Sequence, residues 1–291
     1  MFTLHNGDCL QVMPSIPSGS IDAIITDLPY GTTACSWDSI IPLVPMWSEV
    51  KRVLKSNGVF ISTSSQPFTS VLICSNLDMF RHEWIWNKNT PTGFLNAKKA
   101  PMKQHESICV FALGSYTYNP QKERKEYKAT RRPRVSKGKN PDGIYGDDLE
   151  RVFSGRTEYR FPKTILDFDW GGGWSARDRE HPTQKPVALY EYLIRTYTNE
   201  GETVLDICMG SGTTIEAAEN TYRNSIGIEK EQGYFLAAEK RVKQSVLQQR
   251  LFTPSNNRLH MDAGDSPRQP SQSTLEGFTP AEQGSTPAPR Q

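Results

Sequence analysis

The sequence predicts an α/β domain, a mainly parallel sheet covered by helices on both faces and interrupted by a basic insertion. Three observations carry this. Short apolar runs alternate with helical patterns before residue 114 and again after residue 180, as the strands and covering helices of a parallel sheet do. Strand, glycine turn and helix follow one another in "VLDICMGSGTTIEAA" (204–218). Between the regular halves, residues 114–180 lose the pattern and become basic, aromatic and rich in Gly and Pro.

Taken in order, "TLHN" is a short strand and "IDAIIT" (21–26) the first clear one. "MWSEVKRVLK" (46–55) has helical spacing, with Trp47, Val50 and Leu54 on one side. "GVFISTS" (58–64) is a strand opened by glycine, "FTSVLICSNLDMF" (68–80) a helix, and "HEWIWNK" (82–88) and "ESICVFAL" (106–113) are strands. Regularity returns in "PVALYEYLIRTYT" (186–198), a helix with Pro186 in its first turn. "ETVLDIC" (202–208) is a strand, "GTTIEAAENTY" (212–222) a helix, "NSIGIEK" (224–230) a strand, and a last helix runs over 232–250.

The chain has 291 residues and a net charge of +2, with 36% hydrophobic residues. The apolar deficit is local. Residues 253–291, rich in Pro, Ser, Gln, Gly and Thr, cannot bury enough surface to offset ordering entropy and read as a disordered tail. Charge is local too, since residues 121–140 hold nine Lys or Arg against two Glu. Five scattered cysteines without CxxC spacing imply neither a metal site nor a disulfide framework. With no signal-like start and no run near the ~20 apolar residues of a membrane helix, the expectation is a soluble, reducing, cytoplasmic protein.

Gly210 and Gly212 allow a tight turn and close approach of a ligand to the backbone. The following helix offers unpaired N–H groups. Glu229 ends the next strand, 23 residues after Asp206, where an acid accepts bonds from ribose hydroxyls. Ile215 stands where a dinucleotide fold needs a third glycine, and Thr213-Thr214 where a phosphate loop needs Lys-Ser or Lys-Thr. The ligand therefore carries a ribose and no pyrophosphate.

Further motifs make a family resemblance specific. "DLPY" (27–30) resembles the D-P-P-Y catalytic motif of DNA amino-methyltransferases, and "DICMGSGTT" their S-adenosylmethionine loop. "HPTQKP" (181–186) resembles their motif preceding that loop, and "GD" (7–8) a cofactor-adenine motif. The catalytic motif comes first, as in the β group of the family. The resemblance spans residues 4–240 and implies a circularly permuted class I, Rossmann-like, S-adenosylmethionine-dependent methyltransferase with an inserted recognition region. Residues 1–113 would be its catalytic half, 114–180 the target-recognition insertion and 181–252 the cofactor half. Leu28 departs from the usual proline but keeps the backbone carbonyl that matters, and Cys208 replaces a common phenylalanine.

The resemblance implies roles. Asp27 and the Leu28 carbonyl accept N–H bonds from an exocyclic amine, Pro29 stiffens the turn, and Tyr30 stacks on a base rotated out of the duplex, with Gly31 leaving room beside it. Asp8, His181, Thr183, Lys185, Asp206, Gly210, Ser211, Gly212, Thr213 and Glu229 would bind the cofactor, with His181 to Lys185 at its methionine end. Asp8 reads equally as a helix N-cap, and Trp37 and Asp38 as shaping the target pocket. Lys122, Arg124, Lys125, Lys128, Arg131, Arg132, Arg134 and Lys137 would hold phosphates of double-stranded DNA. No metal is implied, and a homodimer is left open. The expected activity is N6-adenine methylation, since Asp rather than Ser opens the tetrapeptide. N4-cytosine methylation and a catalytically silent DNA-binding relative are the alternatives.

Overall fold

The computed structural model describes residues 1–33, 38–124, 159–169 and 185–252. Residues Met1–Arg250 form one compact unit. The expected tail, 253–291, lies outside the described residues.

Among the described residues ten strands are formed: β1 (Phe2–Asn6), β2 (Ile21–Asp27), β3 (Leu54–Ser64), β4 (Phe80–Thr92), β5 (Lys103–Ala112), β6 (Glu123–Arg124), β7 (Tyr159–Arg160), β8 (Ile165–Asp167), β9 (Thr203–Asp206) and β10 (Asn224–Glu229). Helices are α1 (Cys9–Val12), α2 (Leu43–Val53), α3 (Phe68–Cys74), α4 (Val187–Tyr197), α5 (Thr213–Asn220) and α6 (Gln232–Phe252). Eight strands make one sheet in the order β1-β10-β9-β2-β3-β5-β4-β8, and β6 pairs β7 separately. All pairs in the large sheet are parallel except those of β5, which runs against both β3 and β4. One reversed strand in a parallel sheet brings the start of β5 to the edge where its neighbours end.

The central strands alternate between two buried faces, as period-2 geometry requires. Ala23, Ile25, Val59, Ile61, Ile108 and Val110 pack against α4 and α5 with Leu189, Leu193 and Ala217. Ile24, Phe60, Cys109 and Phe111 pack on the other side against Met46, Trp47 and Val50 of α2 and Phe68 and Leu72 of α3. Asp22, which interrupts the first apolar run, is buried at the opposite end of β2. It accepts from Lys55 Nζ at 2.7 Å and from the Thr203 N–H at 2.9 Å, fastening β2 to both neighbours.

Two helices differ from the sequence expectation. The helix expected over 46–55 runs Leu43–Val53, because Leu54 turns extended and pairs with Ile21. That expected over 68–80 stops at Cys74. Ser75 Oγ returns to the Leu72 carbonyl and Asn76 caps a turn into Phe80, which must be extended to pair with Phe111. The Ser75 hydroxyl offers the backbone such an alternative to a helix. Pro186 sits one residue before α4, as its N-cap, rather than inside the first turn.

Candidate active site

Asp27 is the last residue of β2 and shares a face with Ala23 and Ile25. Opposite it in register stands Thr63 of β3, whose hydroxyl donates to Asp27 Oδ1. The Tyr30 hydroxyl donates to the same oxygen at 2.7 Å. On Oδ2, Lys185 Nζ sits at 2.9 Å, and it also lies 3.0 Å from Oε2 of Glu106 on β5. Glu106 Oε1 accepts from Lys88 of β4 at 2.9 Å. Adjacent strands β2, β3, β5 and β4 thus present Asp27, Thr63, Glu106 and Lys88 in one row, and Lys185, just before α4, bridges the two carboxylates. The half-buried carboxylate of Asp27, the buried one of Glu106 and two buried ammoniums sum to zero charge. An isolated ion there would carry a large desolvation cost.

The titration directions follow from this chain of charges. Burial would lower the Lys185 ammonium, but Asp27 and Glu106 outweigh it and hold it above the ordinary lysine value. Burial would raise Glu106, but Lys185 and Lys88 outweigh it and hold it below the ordinary glutamate value. Burial, then the charges of Asp27 and Glu106, push the Tyr30 phenol well up, so it remains a donor to Asp27.

The tetrapeptide is braced from both sides. Leu28 turns its side chain into the core. The Tyr30 ring stacks on Phe68 with centroids 5.5 Å apart. Gly31 has φ +67, and a Cβ there would meet Ile40 at 2.9 Å. The glycine therefore serves the turn and its packing against Ile40. Asp38 accepts the N–H groups of Gly31, Thr32 and Thr33 at 2.9, 2.9 and 2.7 Å. Burial raises its carboxyl, but a bond from the Thr33 side chain and these N–H bonds together hold it below the ordinary aspartate value. Trp37 lies outside the described residues.

The glycine loop stands at the same sheet edge, between β9 and α5. Asp206, almost fully buried, accepts from the Thr26 hydroxyl at 2.8 Å, from the Cys208 N–H at 3.0 Å and from the Thr214 hydroxyl. Burial raises it to about 6 despite these donors. Gly212 has φ +78, and a Cβ would meet Ala238 and Val242 of α6 at 3.2 Å each; Gly210, φ +52, has open space there. Arg241 of α6 donates to the Ser211 carbonyl at 3.1 Å and lies 3.3 Å from the Thr213 hydroxyl. Glu229 ends β10 and takes the Gly210 N–H on Oε2 at 2.9 Å and the Glu231 N–H on Oε1 at 2.7 Å. Each oxygen keeps a further lone pair. Burial raises its carboxyl. Asp8 caps α1 through the Leu10 N–H at 3.0 Å and pairs with Lys230 at 3.3 Å. Cys208 faces the same space, and its bond with the Cys9 thiol, together with burial, keeps it a thiol.

One cavity of about 670 Å³ is lined both by Asp27, Leu28, Pro29, Tyr30, Glu106 and Lys185 and by Asp8, Asp206, Gly210, Ser211, Thr213 and Glu229. The structure thus brings together the expected catalytic and cofactor residues, except that Gly212 supports the loop from behind and His181 and Thr183 lie outside the described residues. Lys185, expected at a cofactor's methionine end, is bonded to the carboxylates of Asp27 and Glu106. Sequence reasoning missed Thr63, Glu106 and Lys88. Their signal was parity, since Lys88 continues the inward face of Trp84 and Trp86, and Glu106 that of Ile108 and Val110.

A family profile described as DNA methylase, of the N6/N4 type, matches residues 21–240. The chain belongs to this DNA methylase family. The Type II methyltransferase M.HpaI of Haemophilus parainfluenzae is 26% identical over 250 residues, covering 81% of this chain and 72% of the relative. The DNA adenine methyltransferase YhdJ of Escherichia coli (strain K12) is 28% identical over 256 residues, covering 82% of each. Among solved structures, the M1.HpyAVI-SAM complex superposes with a TM-score of 0.56 at 25% identity, covering 83% of this chain and 99% of that one. The cytosine-N4-specific PvuII DNA methyltransferase has a TM-score of 0.58 at 16% identity, covering 85% and 92%, a likeness of fold alone. The methylase fold is class I and circularly permuted, since the strand bearing Asp27 precedes the glycine-loop strand in the chain and adjoins it in the sheet. Of the expected phosphate contacts, Lys122 and Arg124 are exposed, and the Lys122 ammonium lies 5.1 Å over the Phe161 ring. Lys125, Lys128, Arg131, Arg132, Arg134 and Lys137 lie outside the described residues. Among the described residues no helix is long and apolar enough to cross a membrane, and no group of three acidic, His or Cys side chains could hold a metal.

Proposed function

We propose that this methylase transfers a methyl group from S-adenosylmethionine to the exocyclic N6 amine of adenine in double-stranded DNA, at a specific site and with the base rotated out of the helix. The observation that carries the reading is the continuous cavity. It joins an end suited to an amine, at Asp27 and Leu28, to an end suited to a nucleoside, at Gly210 and Glu229.

The residues fit the cofactor. The second lone pairs of Glu229 suit ribose hydroxyls, Gly210 leaves backbone open to a ligand, and Ser211 and Thr213 are held in place by Arg241. When bound, S-adenosylmethionine supplies a methyl group already activated by its sulfonium. The protein's part is to orient and polarise the amine. Asp27 spends three acceptor positions on Thr63, Tyr30 and Lys185, which fix its rotamer and leave capacity for one N–H of the amine. The Leu28 carbonyl takes the other. Two fixed acceptors localise electron density on the nitrogen and favour the positive charge that develops there. The Tyr30 ring receives the rotated base, and the basic run 121–140 holds phosphates.

Asp rather than Ser at position 27 favours adenine over N4 of cytosine, the second reading, whose amine the same acceptors would serve. The test is expression in a host without DNA methylation, followed by modified-base sequencing and nucleoside mass spectrometry. N6-methyladenine in one motif is expected. N4-methylcytosine would replace the first reading by the second, and unmodified DNA would refute both. Asp27→Ala should lower transfer by a factor of ~10²–10³ while S-adenosylmethionine affinity stays within a few-fold.

A further inference from the structure

The β4–β5 hairpin crosses back at the catalytic edge. Its two strands end in the pair Thr92 and Lys103, and both residues line the active-site cavity. The ten residues between them form a structured tip. Gly93, φ +90, starts a single 3-10 turn over Phe94–Asn96. Backbone bonds from Asn96 to Gly93, Ala97 to Phe94, Lys99 to Asn96 and Ala100 to Asn96 hold its shape. On this tip Phe94 is 77% and Leu95 96% exposed. Two adjacent large apolar side chains are thus held out into water on an ordered turn. The charge carried by the hairpin tip itself has one sign, the carboxylates of Asp167 and Asp169 lying further back, against Asn87 and Asn89. From Trp84 to His105 the sequence contains Lys88, Lys98, Lys99 and Lys103 and no Asp or Glu. Lys98, Lys99 and Lys103 are exposed.

An apolar point ringed by cations, rooted on the rim of a base-sized cavity, matches one partner chemistry. A nucleic-acid duplex offers phosphates outside and an apolar base stack within. Proteins that distort DNA insert such side chains between base steps, and a base that leaves the stack leaves a gap to be filled. We propose that this hairpin tip is an intercalating wedge: Phe94 and Leu95 enter the base stack beside the target nucleotide, while Lys98, Lys99 and Lys103 hold the flanking phosphates. The wedge rests on the reading of the cavity as the place where a rotated base is methylated. It assigns base extrusion to an element separate from residues 121–140.

The test uses the full chain and an unmethylated duplex carrying the motif found by modified-base sequencing. Wild-type transfer to this paired duplex is the reference, and its absence refutes the cavity reading and the wedge together. For Phe94→Ala/Leu95→Ala, single-turnover transfer to the paired duplex should fall at least about tenfold, since the cost of unstacking is no longer offset. Placing the target base opposite an abasic site, where less pairing must be broken, should restore most of the rate. A fluorescent base analogue at the target should brighten with wild type and stay quenched with the variant. Lys98→Gln/Lys99→Gln should instead flatten the salt dependence of DNA binding, by about 0.9 in slope per lost contact, and retain the brightening. A double variant that methylates the paired duplex as wild type does overturns the wedge alone. So does an equal loss on paired and abasic duplexes. Sedimentation showing a wild-type dimer that the variant splits would make the tip a contact between copies of the chain, and would also overturn it.

Discussion

Replacing Glu106 by Gln removes one charge and almost no volume from the middle of the ion row. The wild-type row is neutral, with Glu106 between Lys88 at 2.9 Å and Lys185 at 3.0 Å. The side chains of Lys88 and Lys185 are only 3% and 8% exposed, so the positive charge left by Glu106→Gln is poorly hydrated. Breaking a buried pair from one side costs about 3–5 kcal/mol. Asp27, 24% exposed and still paired with Lys185, admits some water, so the lower end applies, about 3 kcal/mol. For a body of this size each kcal/mol moves Tm by roughly 2–4 °C, which gives a fall of about 6–12 °C near pH 7. The pH dependence is the sharper test. Glu106 titrates below the ordinary glutamate value, so its stabilisation is complete above that value and is lost as pH falls through its lowered one. Lys185 titrates above the ordinary lysine value, so its share persists through neutral pH and is lost only as pH rises through the raised value. The Tm gap between wild type and variant should therefore be flat across neutral pH and close only in acid. Thermal melts from pH 8 to pH 3, at low and high salt, measure it. With Lys185 left to Asp27 alone, Asp27 is a weaker acceptor for the amine, and the saturated single-turnover rate should fall about tenfold or more. S-adenosylmethionine affinity should hold, since Glu229 is untouched. A Tm equal to wild type at pH 7, or a gap that persists unchanged at pH 3, would refute this account of the row.

Two further outcomes concern the cofactor end. Glu229→Gln should weaken S-adenosylmethionine about tenfold at pH 8, where a charge-assisted bond is lost, and wild-type affinity should approach that of the variant as pH falls through the raised Glu229 value, beginning above the ordinary glutamate value; calorimetric titrations that keep the two curves parallel would move the ribose contact elsewhere. Gly212→Ala puts a methyl group at positive φ against Ala238 and Val242 and should cost ~1–3 kcal/mol of stability, whereas Gly210→Ala, whose methyl enters open space, should lose more affinity for each degree of Tm, a ratio that paired melts and binding isotherms compare.

Much of this architecture was legible in local pattern. Alternation located the central strands, and the tetrapeptide and glycine loop located the two ends of the cavity, because both are written in contiguous residues. The ion row was not legible. Glu106 meets both Lys88 and Lys185 only because β5 is reversed and lies between β3 and β4, and strand order is a property of the whole sheet. Charged residues on the inward parity of "HEWIWNK" and "ESICVFAL" were the available warning. The helix expected over 68–80 failed where Ser75 and Asn76 offered turn bonds and cross-strand pairing claimed Phe80. The hairpin tip escaped notice because it has no periodicity, and its lysines are fewer than those of 121–140.

The sheet's order also constrains how the chain comes off a ribosome. Thr26 and Asp206, which bond at the centre of the molecule, are 180 residues apart, and Asn6 reaches a carbonyl 223 residues away. At synthesis rates of about 5–20 residues per second, β1 and one edge of β2 wait roughly ten seconds or more for their partners. During that interval β2 can pair only with β3, and its other edge, a run of Ile and Ala, is open to neighbouring nascent chains. Cut within the stretch after β5, the chain would yield two fragments that become one sheet only by finding each other.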